Sequence, residues 1–169
     1  LSLVGSEMCI RDSVKSLRTK VTAFDLEYFY KSAITDPDRL KKLQTAEDLQ
    51  KIDDWELIRG AHLTGILSDI GYRHLDYIRG MRNWASAAHP NQNELTGLQL
   101  VSWLETCIRE VIAKEPSGAV ITVRQLLDNI RNHTLAANDV PPINQNIALL
   151  PADLSTSLVR TIFGIFVDP

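Results

Sequence analysis

Three residues near the middle of the chain have side chains suited to chemistry on a phosphodiester: Arg82, Asn83 and His89. Arg82 and His89 are seven positions apart, so a helix turns by about 700° between them. Their side chains would then point within about 20° of each other, roughly 10 Å apart along the axis. A helix C-terminus favours the imidazolium form of histidine, and an imidazolium beside an arginine suits general acid catalysis. The spacing therefore suits general acid catalysis on a phosphodiester.

Two further polar residues, Arg79 and Ser86, extend this group. On a helix all five fall within an arc of about 120°, and we expect Arg79 and Ser86 to contact the substrate. Leu75 and Ile78 should border the polar stripe, which suggests a face that meets a partner helix or a second subunit. The opposite, core-facing side is predicted to hold Ile70, Tyr77, Met81, Trp84 and Ala88.

The helix that carries the stripe is predicted to begin at Ser68-Asp69 and to end before Pro90. Apolar residues at helical spacing, with Pro and cap residues between them, predict further helices on both sides. Asp53-Asp54 should cap one of them, and Thr122 with Gln125 has the spacing of a capping box. The predicted helices cover 22–34, 36–50, 55–67, 69–89, 94–114, 123–132 and 152–168.

The segments between these helices contain little else. The run at 120–123, VITV, has β propensity but is too short to found a sheet, and 133–142 is predicted as a loop. The sequence thus predicts an all-α protein. We expect a helical bundle over 14–115 and a smaller helical extension over 116–169 that is cut short at Pro169.

Bulk composition limits the possible classes of protein. The chain has 169 residues, a formal net charge of −3 and 44% hydrophobic residues, which is enough for a packed core. No apolar run approaches the roughly 20 residues that span a bilayer, so we predict no membrane contact. We also predict a cytoplasmic protein, because Cys107 is the only cysteine outside residues 1–13 and leaves no disulfide to form. The scattered His62, His74 and His133 lack metal-binding spacing, and no cofactor motif is present.

The first thirteen residues differ from the rest of the chain. They have no helical apolar stripe and no strand alternation, and they lack the basic and apolar regions of a secretory signal. Back-translation of LVGSEMCIRDS resembles one reading frame of a transposase sequencing adapter. We therefore predict that residues 1–13 are translated adapter and lie outside the fold. Cys107 is then the only cysteine of the folded part, so no intramolecular disulfide is expected, and it should be a small core residue.

Arg82-Asn83 followed by His89, at the end of one helix and ahead of another, resembles the Arg-polar-x(4–6)-His motif of the HEPN (higher eukaryote and prokaryote nucleotide-binding) superfamily. The resemblance covers about residues 22–114. It implies a helical bundle that is often dimeric. It also implies a metal-independent endoribonuclease of a prokaryotic defence or toxin–antitoxin system, with an antitoxin or another partner protein.

The resemblance also implies a role for each residue of the motif. His89 would be the acid–base residue, Arg82 would hold the scissile phosphate, and Asn83 would orient both. The attacking group would be the 2′-hydroxyl of the RNA itself, which leaves a cyclic phosphate.

Two other interpretations remain open at this stage. The chain could be a non-catalytic all-α interaction module that uses the same face to bind a partner protein or a nucleotide. It could also be the N-terminal part of a larger protein whose activity lies beyond Pro169. The motif residues could then serve as an ordinary helix cap at His89 and a solvated ion pair at Arg82.

Overall fold

A computed structural model describes residues 2–87, 96–134 and 136–167 of the chain. The described residues form helices and connecting loops, with no strand, so the predicted all-α class is confirmed. The α-helices are α1 (Ser2–Phe24), α2 (Leu26–Ala33), α3 (Pro37–Leu40), α4 (Asp54–Leu63), α5 (Asp69–Ala87), α6 (Gly97–Cys107), α7 (Gly118–Asn132), α8 (Val140–Ala148) and α9 (Ala152–Val167). Two 3₁₀ turns, Glu47–Lys51 and Ala137–Asp139, and a π-helical turn, Ile108–Ile112, complete the structure.

Helix α1 includes the segment that the sequence placed outside the fold. Residues 2–13 form its first half, and Cys9, Ile10 and Ser13 are buried in the larger core. Ile10 continues the spacing of the buried residues Val14, Leu17 and Val21 further along the helix. The expectation that residues 1–13 take no part in the fold is therefore not met for 2–13. Their adapter origin stays a prediction.

The cysteines correct a second expectation. Cys107 is buried, as predicted, but it forms a disulfide with Cys9 across 98 residues. The expected absence of an intramolecular disulfide was therefore wrong, because it followed from excluding Cys9. The bond joins α1 to the last residue of α6.

The central helices have alternating directions. The Cys9–Cys107 bond and the hydrogen bonds that Lys20 Nζ donates to the carbonyls of Val111 and Lys114 show that α1 and α6 run parallel. Helix α5 runs antiparallel to α6, since Ser68 lies beside Glu110 whereas His74 lies beside Trp103. Helix α4 packs against α5 as an antiparallel hairpin closed by a short turn.

Two features of the sequence explain the tight packing around α4. A Cβ on Gly60 would lie 2.6 Å from Ala33 Cβ, so only glycine lets α2 approach this closely. Gly65 has φ of +76° in the turn between α4 and α5, a backbone conformation that favours glycine. The helix start itself was predicted correctly, because Asp53 and Glu56 form a complete capping box.

The expected single helix over 22–34 is divided at Asp25. The Asp25 carboxylate accepts a hydrogen bond from Tyr28 N at 2.8 Å and so caps a new helix, α2. Arg131 of α7 holds the same carboxylate in a bidentate ion pair and also reaches Glu27 at 2.9 Å. The hydrogen bond to Asp25 raises the pKa of Arg131.

The C-terminal helices also depart from the sequence prediction. Helix α7 begins at Gly118 with Ser117 as its N-cap, so the β-like residues 120–123 are helical and the cap predicted at Thr122 was wrong. The predicted loop 133–142 contains the start of α8, which accepts prolines in its first turn because their missing N–H groups would have no helical partner there.

Two apolar cores result from this arrangement. The larger core draws on α1, α2, α4, α5 and α6 together with the π-helical turn. The smaller core packs Tyr28 of α2 against residues of α7 and α9. Helix α2 therefore belongs to both, because Phe29 and Tyr30 point into the larger core and Tyr28 into the smaller one.

Candidate active site on helix α5

Helix α5 runs without interruption from Asp69 to Ala87 and carries most of the predicted site. Arg79, Arg82, Asn83 and Ser86 all lie on it, so their backbone positions follow the expected helical spacing. Asn83 is exposed. The structure does not describe the side chains of Arg82 and Ser86, and His89 lies outside the described residues. The expected alignment of Arg82 and His89 on one face of the helix is therefore still a prediction.

The core-facing side of α5 differs from the predicted one. Leu75 and Ile78 are fully buried, whereas Ile70 and Tyr77 are 60% and 51% exposed. The prediction that Ile70 and Tyr77 face the core was therefore wrong. The physical reason is that α5 packs against α1 and α6 through Gly71, Leu75 and Ile78, which repeat at helical spacing.

This correction changes where the polar stripe lies. Arg82 follows Leu75 by seven residues, so the two positions are within about 20° on the helix surface. Leu75 is thus in the middle of the arc and not at its border. By helical position the stripe is therefore aligned with the buried face of α5, and of its described side chains Arg79 is partly buried whereas Asn83 is exposed.

The residues of the stripe closest to the core show how this face is arranged. Arg79 is partly buried and donates a hydrogen bond to Asp76 Oδ1 at 2.9 Å. Its Nε is buried without a hydrogen-bond partner among the described residues. The ion pair with Asp76 therefore fixes the guanidinium of Arg79 beside the core.

Three helices begin at the end of the bundle where α5 finishes. Because α1, α4 and α6 all run antiparallel to α5, their N-termini at Ser2, Asp54 and Gly97 lie toward its C-terminal end. Helix N-termini carry partial positive charge and favour anions. At α4 this charge already faces the carboxylates of Asp53, Asp54 and Glu56, and at α6 a capping box of Thr96 and Gln99 occupies the backbone donors, so these helix ends do not by themselves form an anion site.

His74 and Trp103 behave as predicted from the sequence. His74 Nε2 lies 3.1 Å from the carbonyl oxygen of Trp103, so this histidine is a hydrogen-bonded structural residue. Trp103 is buried and packs edge-on against Tyr77 with ring centroids 5.6 Å apart. Among the described residues, no cluster of three or more His, Cys, Asp or Glu side chains could hold a metal ion.

A second concave region lies at the opposite end of α5 and was not predicted. It is an open cleft of about 1410 Å³ between α2 and α4 on one side and α9 with the start of α7 on the other. Arg59 and His62, three residues apart on α4, line it. Their spacing on one helix was visible in the sequence, but the opposite wall, formed by α9 about 100 residues later, was not.

His62 is held firmly at the edge of this cleft. Its Nε2 lies 2.7 Å from Asp69 Oδ1, and its ring stacks on Tyr72 with centroids 4.3 Å apart. The hydrogen bond from His62 lowers the pKa of the Asp69 carboxyl. The pair connects the end of α4 to the start of α5.

Comparisons of the chain with protein-family models, with curated proteins and with solved structures found no match. In the described part of the chain, no helix is both long enough and apolar enough to cross a membrane.

Proposed function

We propose that the protein is a cytoplasmic, metal-independent endoribonuclease of a prokaryotic defence or toxin–antitoxin system, with its site at the C-terminal end of α5. In this proposal His89 transfers the proton, Arg82 holds the scissile phosphate, and Asn83 orients both. Arg79 and Ser86 contact the RNA, and the 2′-hydroxyl of the RNA is the nucleophile. No cofactor takes part. An antitoxin or another partner protein would control the activity.

The observation that carries the proposal is the continuity of α5. A single helix carries the backbone positions of Arg79, Arg82, Asn83 and Ser86 within one arc. The partly buried guanidinium of Arg79, held by Asp76, lies on the same side. Preorganised positive groups of this kind stabilise the charge that develops on a phosphate in the transition state.

A homodimer is part of the proposal, and one face of α6 supports it. Exposed apolar residues line one side of α6 and of the π-helical turn that follows it: Leu98 at 84% and Val101 at 63% on α6, and Ile108 at 53% and Ile112 at 38% on the turn. Glu105 and Arg109 lie on the same side one turn apart, so a second copy related by a two-fold axis presents opposite charges. Light scattering should report a dimer for the wild type and a monomer for Val101→Lys.

The same α6 face favours a second candidate function, a non-catalytic interaction module. An exposed apolar seam of this kind would also accept a helix of another protein. The two functions differ in one measurable property, since only the first predicts cleavage of RNA.

The test uses the full chain, incubated with mixed RNA in excess EDTA. The wild type should cleave the RNA and leave 2′,3′-cyclic phosphate ends, and His89→Ala should abolish the cleavage. His133→Ala is the matched control, because His133 is an exposed histidine at the end of α7. Arg82→Ala should reduce cleavage strongly, and Arg73→Ala, an exposed arginine earlier on α5, should leave it unchanged.

A loss of RNA cleavage in either variant must be distinguished from unfolding of that variant. We expect Arg82→Ala and His89→Ala to change the free energy of unfolding by no more than about 0.5 kcal/mol. A loss above about 2 kcal/mol would make either residue structural and would contradict its catalytic role. A folded, dimeric wild type that leaves RNA intact would favour the interaction module.

A further inference from the structure

The cleft between α2, α4 and α9 contains two arginines that have no ion-pair partner among the residues that the structure describes. Arg59 and Arg160 line it together with Lys31 and His62, which are each paired with a carboxylate. Arg59 also lies close enough to Glu56 to contribute, after Arg39, to the lowered pKa of that carboxyl. The cleft therefore offers two guanidinium groups that no salt bridge occupies.

The carboxylates on the cleft wall are mostly engaged elsewhere. Glu27 lies 2.9 Å from Arg131 and 3.5 Å from Lys31, and Asp69 is bonded to His62. The remaining one, Asp153, sits in the first turn of α9, where the helix dipole compensates its charge. The uncompensated charge of the wall is consequently positive.

Arg59 is held in place before any ligand binds. Its guanidinium carbon lies 5.3 Å from the centre of the Trp55 ring, and its Nη1 donates a hydrogen bond to the carbonyl of Ala33 at 3.4 Å. Stacking of this kind fixes the plane of the group and leaves its other N–H donors free. A fixed guanidinium fork matches the geometry of phosphate oxygens.

Hydroxyl groups complete the wall where α2 meets α9. Ser32 Oγ and Thr161 Oγ1 lie 3.4 Å apart, and the Tyr28 hydroxyl donates to Ser157 Oγ at the same distance. Hydroxyls can both donate to phosphate oxygens and accept from sugar hydroxyls. The volume of about 1410 Å³ exceeds that of a simple anion site and accommodates a ligand of nucleotide size.

We propose that this cleft binds a phosphate-bearing small molecule, with Arg59 and Arg160 contacting the phosphate and the hydroxyls of α2 and α9 contacting the remainder. The site is distinct from the α5 stripe, because Asp69 at the cleft and Arg82 are separated by thirteen residues, or about 20 Å along the helix. The inference does not depend on the proposed nuclease function.

The test is calorimetric titration of the full chain with adenosine 5′-monophosphate, adenosine and inorganic phosphate as probes. The monophosphate should bind at least about tenfold more tightly than adenosine, because charged hydrogen bonds to the phosphate supply the difference. Arg59→Gln and Arg160→Gln should each weaken its binding about tenfold. Arg124→Gln, which changes an exposed arginine of α7 that does not line the cleft, should leave binding unchanged.

The outcomes separate the possible ligands. Competition between inorganic phosphate and the monophosphate would support the site and show that the phosphate is the recognised group. Equal binding of adenosine and its monophosphate would overturn the proposal, and so would the absence of binding by both phosphate-bearing probes. Because Arg59→Gln also removes the stack on Trp55, Arg160→Gln is the independent variant, and unchanged binding in it would contradict the assigned role of Arg160.

Discussion

The larger and smaller apolar cores are held together in different ways. The larger core draws on five helices, α1 among them, and is closed by the disulfide between Cys9 and Cys107. The smaller core is joined to the rest of the protein by the buried Tyr28 of α2, with Phe24 of α1 packed against it, and by the ion pair between Arg131 and Asp25. Damage to the first should therefore unfold the protein, whereas damage to the second should release α7 to α9 from an otherwise intact bundle.

The largest expected effect is on the larger core. Deletion of residues 1–13 removes the disulfide, whose 98-residue separation corresponds to about 4–5 kcal/mol in the chain-entropy model, and the buried Ile10, about 2 kcal/mol. We expect the free energy of unfolding, measured by urea denaturation, to fall by at least about 4 kcal/mol. Cys9→Ser in the full chain should reproduce the part of this loss in the free energy of unfolding that is due to the disulfide. A deletion that costs less than about 1 kcal/mol would instead agree with the sequence prediction that these residues lie outside the fold.

A smaller effect is expected where the two cores meet. Arg131→Met leaves the nearly buried Asp25 carboxylate without its bidentate partner. Because Arg131 is itself one-third exposed, solvent screens part of the loss, and we expect about 1–3 kcal/mol. Hydrogen exchange should increase in α7 more than in α1. Arg124→Met, which changes an exposed arginine of the same helix, is the control, and an equal effect in both variants would contradict the role of the ion pair.

The smallest effect concerns the 3₁₀ turn that places Leu49 in the larger core. Asp48 accepts hydrogen bonds from Lys51 Nζ and from the backbone N–H groups of Thr45 and Gln44, and these bonds lower its pKa well below the usual range. An unfolded aspartate has a pKa of about 3.9, so the unfolded state takes up its proton first as pH falls.

The stabilisation by Asp48 should therefore be present above about pH 4 and be lost progressively below it. Asp48→Asn should flatten the fall in stability between about pH 4 and pH 2, as measured by thermal melting. The exposed Asp38→Asn should leave the slope unchanged. If the stability of Asp48→Asn falls with pH as steeply as that of the wild type, the Asp48 carboxylate does not cause the loss of stability in acid.

Local sequence signals predicted those helix ends whose capping residues lie close together in the chain. Asp53 and Glu56 cap α4 because both partners lie within four residues. Cys107 was predicted as a core residue from its residue type, and it is buried. The division at Asp25 was missed because a short polar residue inside an amphipathic run does not show which helix it caps. Arg131, the residue that holds Asp25, lies 106 positions away.

Prediction of the candidate site on α5 was limited in the same way, because contacts between distant segments were not evident from the sequence. The order Arg82, Asn83, His89 was evident from the sequence, and the continuous helix α5 agrees with the predicted spacing of the residues that the structure describes. The orientation of that stripe was not evident, because Ile70 and Tyr77 are as apolar as Leu75 and Ile78. Contact with α1 and α6 selects the buried face.

The sequence alone determined the all-α class, most helix positions and the grouping of polar residues on α5, because helical periodicity and capping act over a few residues. Only the tertiary structure decided which face of α5 is buried, that Cys9 meets Cys107, and that α9 closes a cleft beside Arg59. Each of these depends on contacts between segments tens of residues apart, whose energies are set by the packing of whole helices and leave no local pattern in the chain.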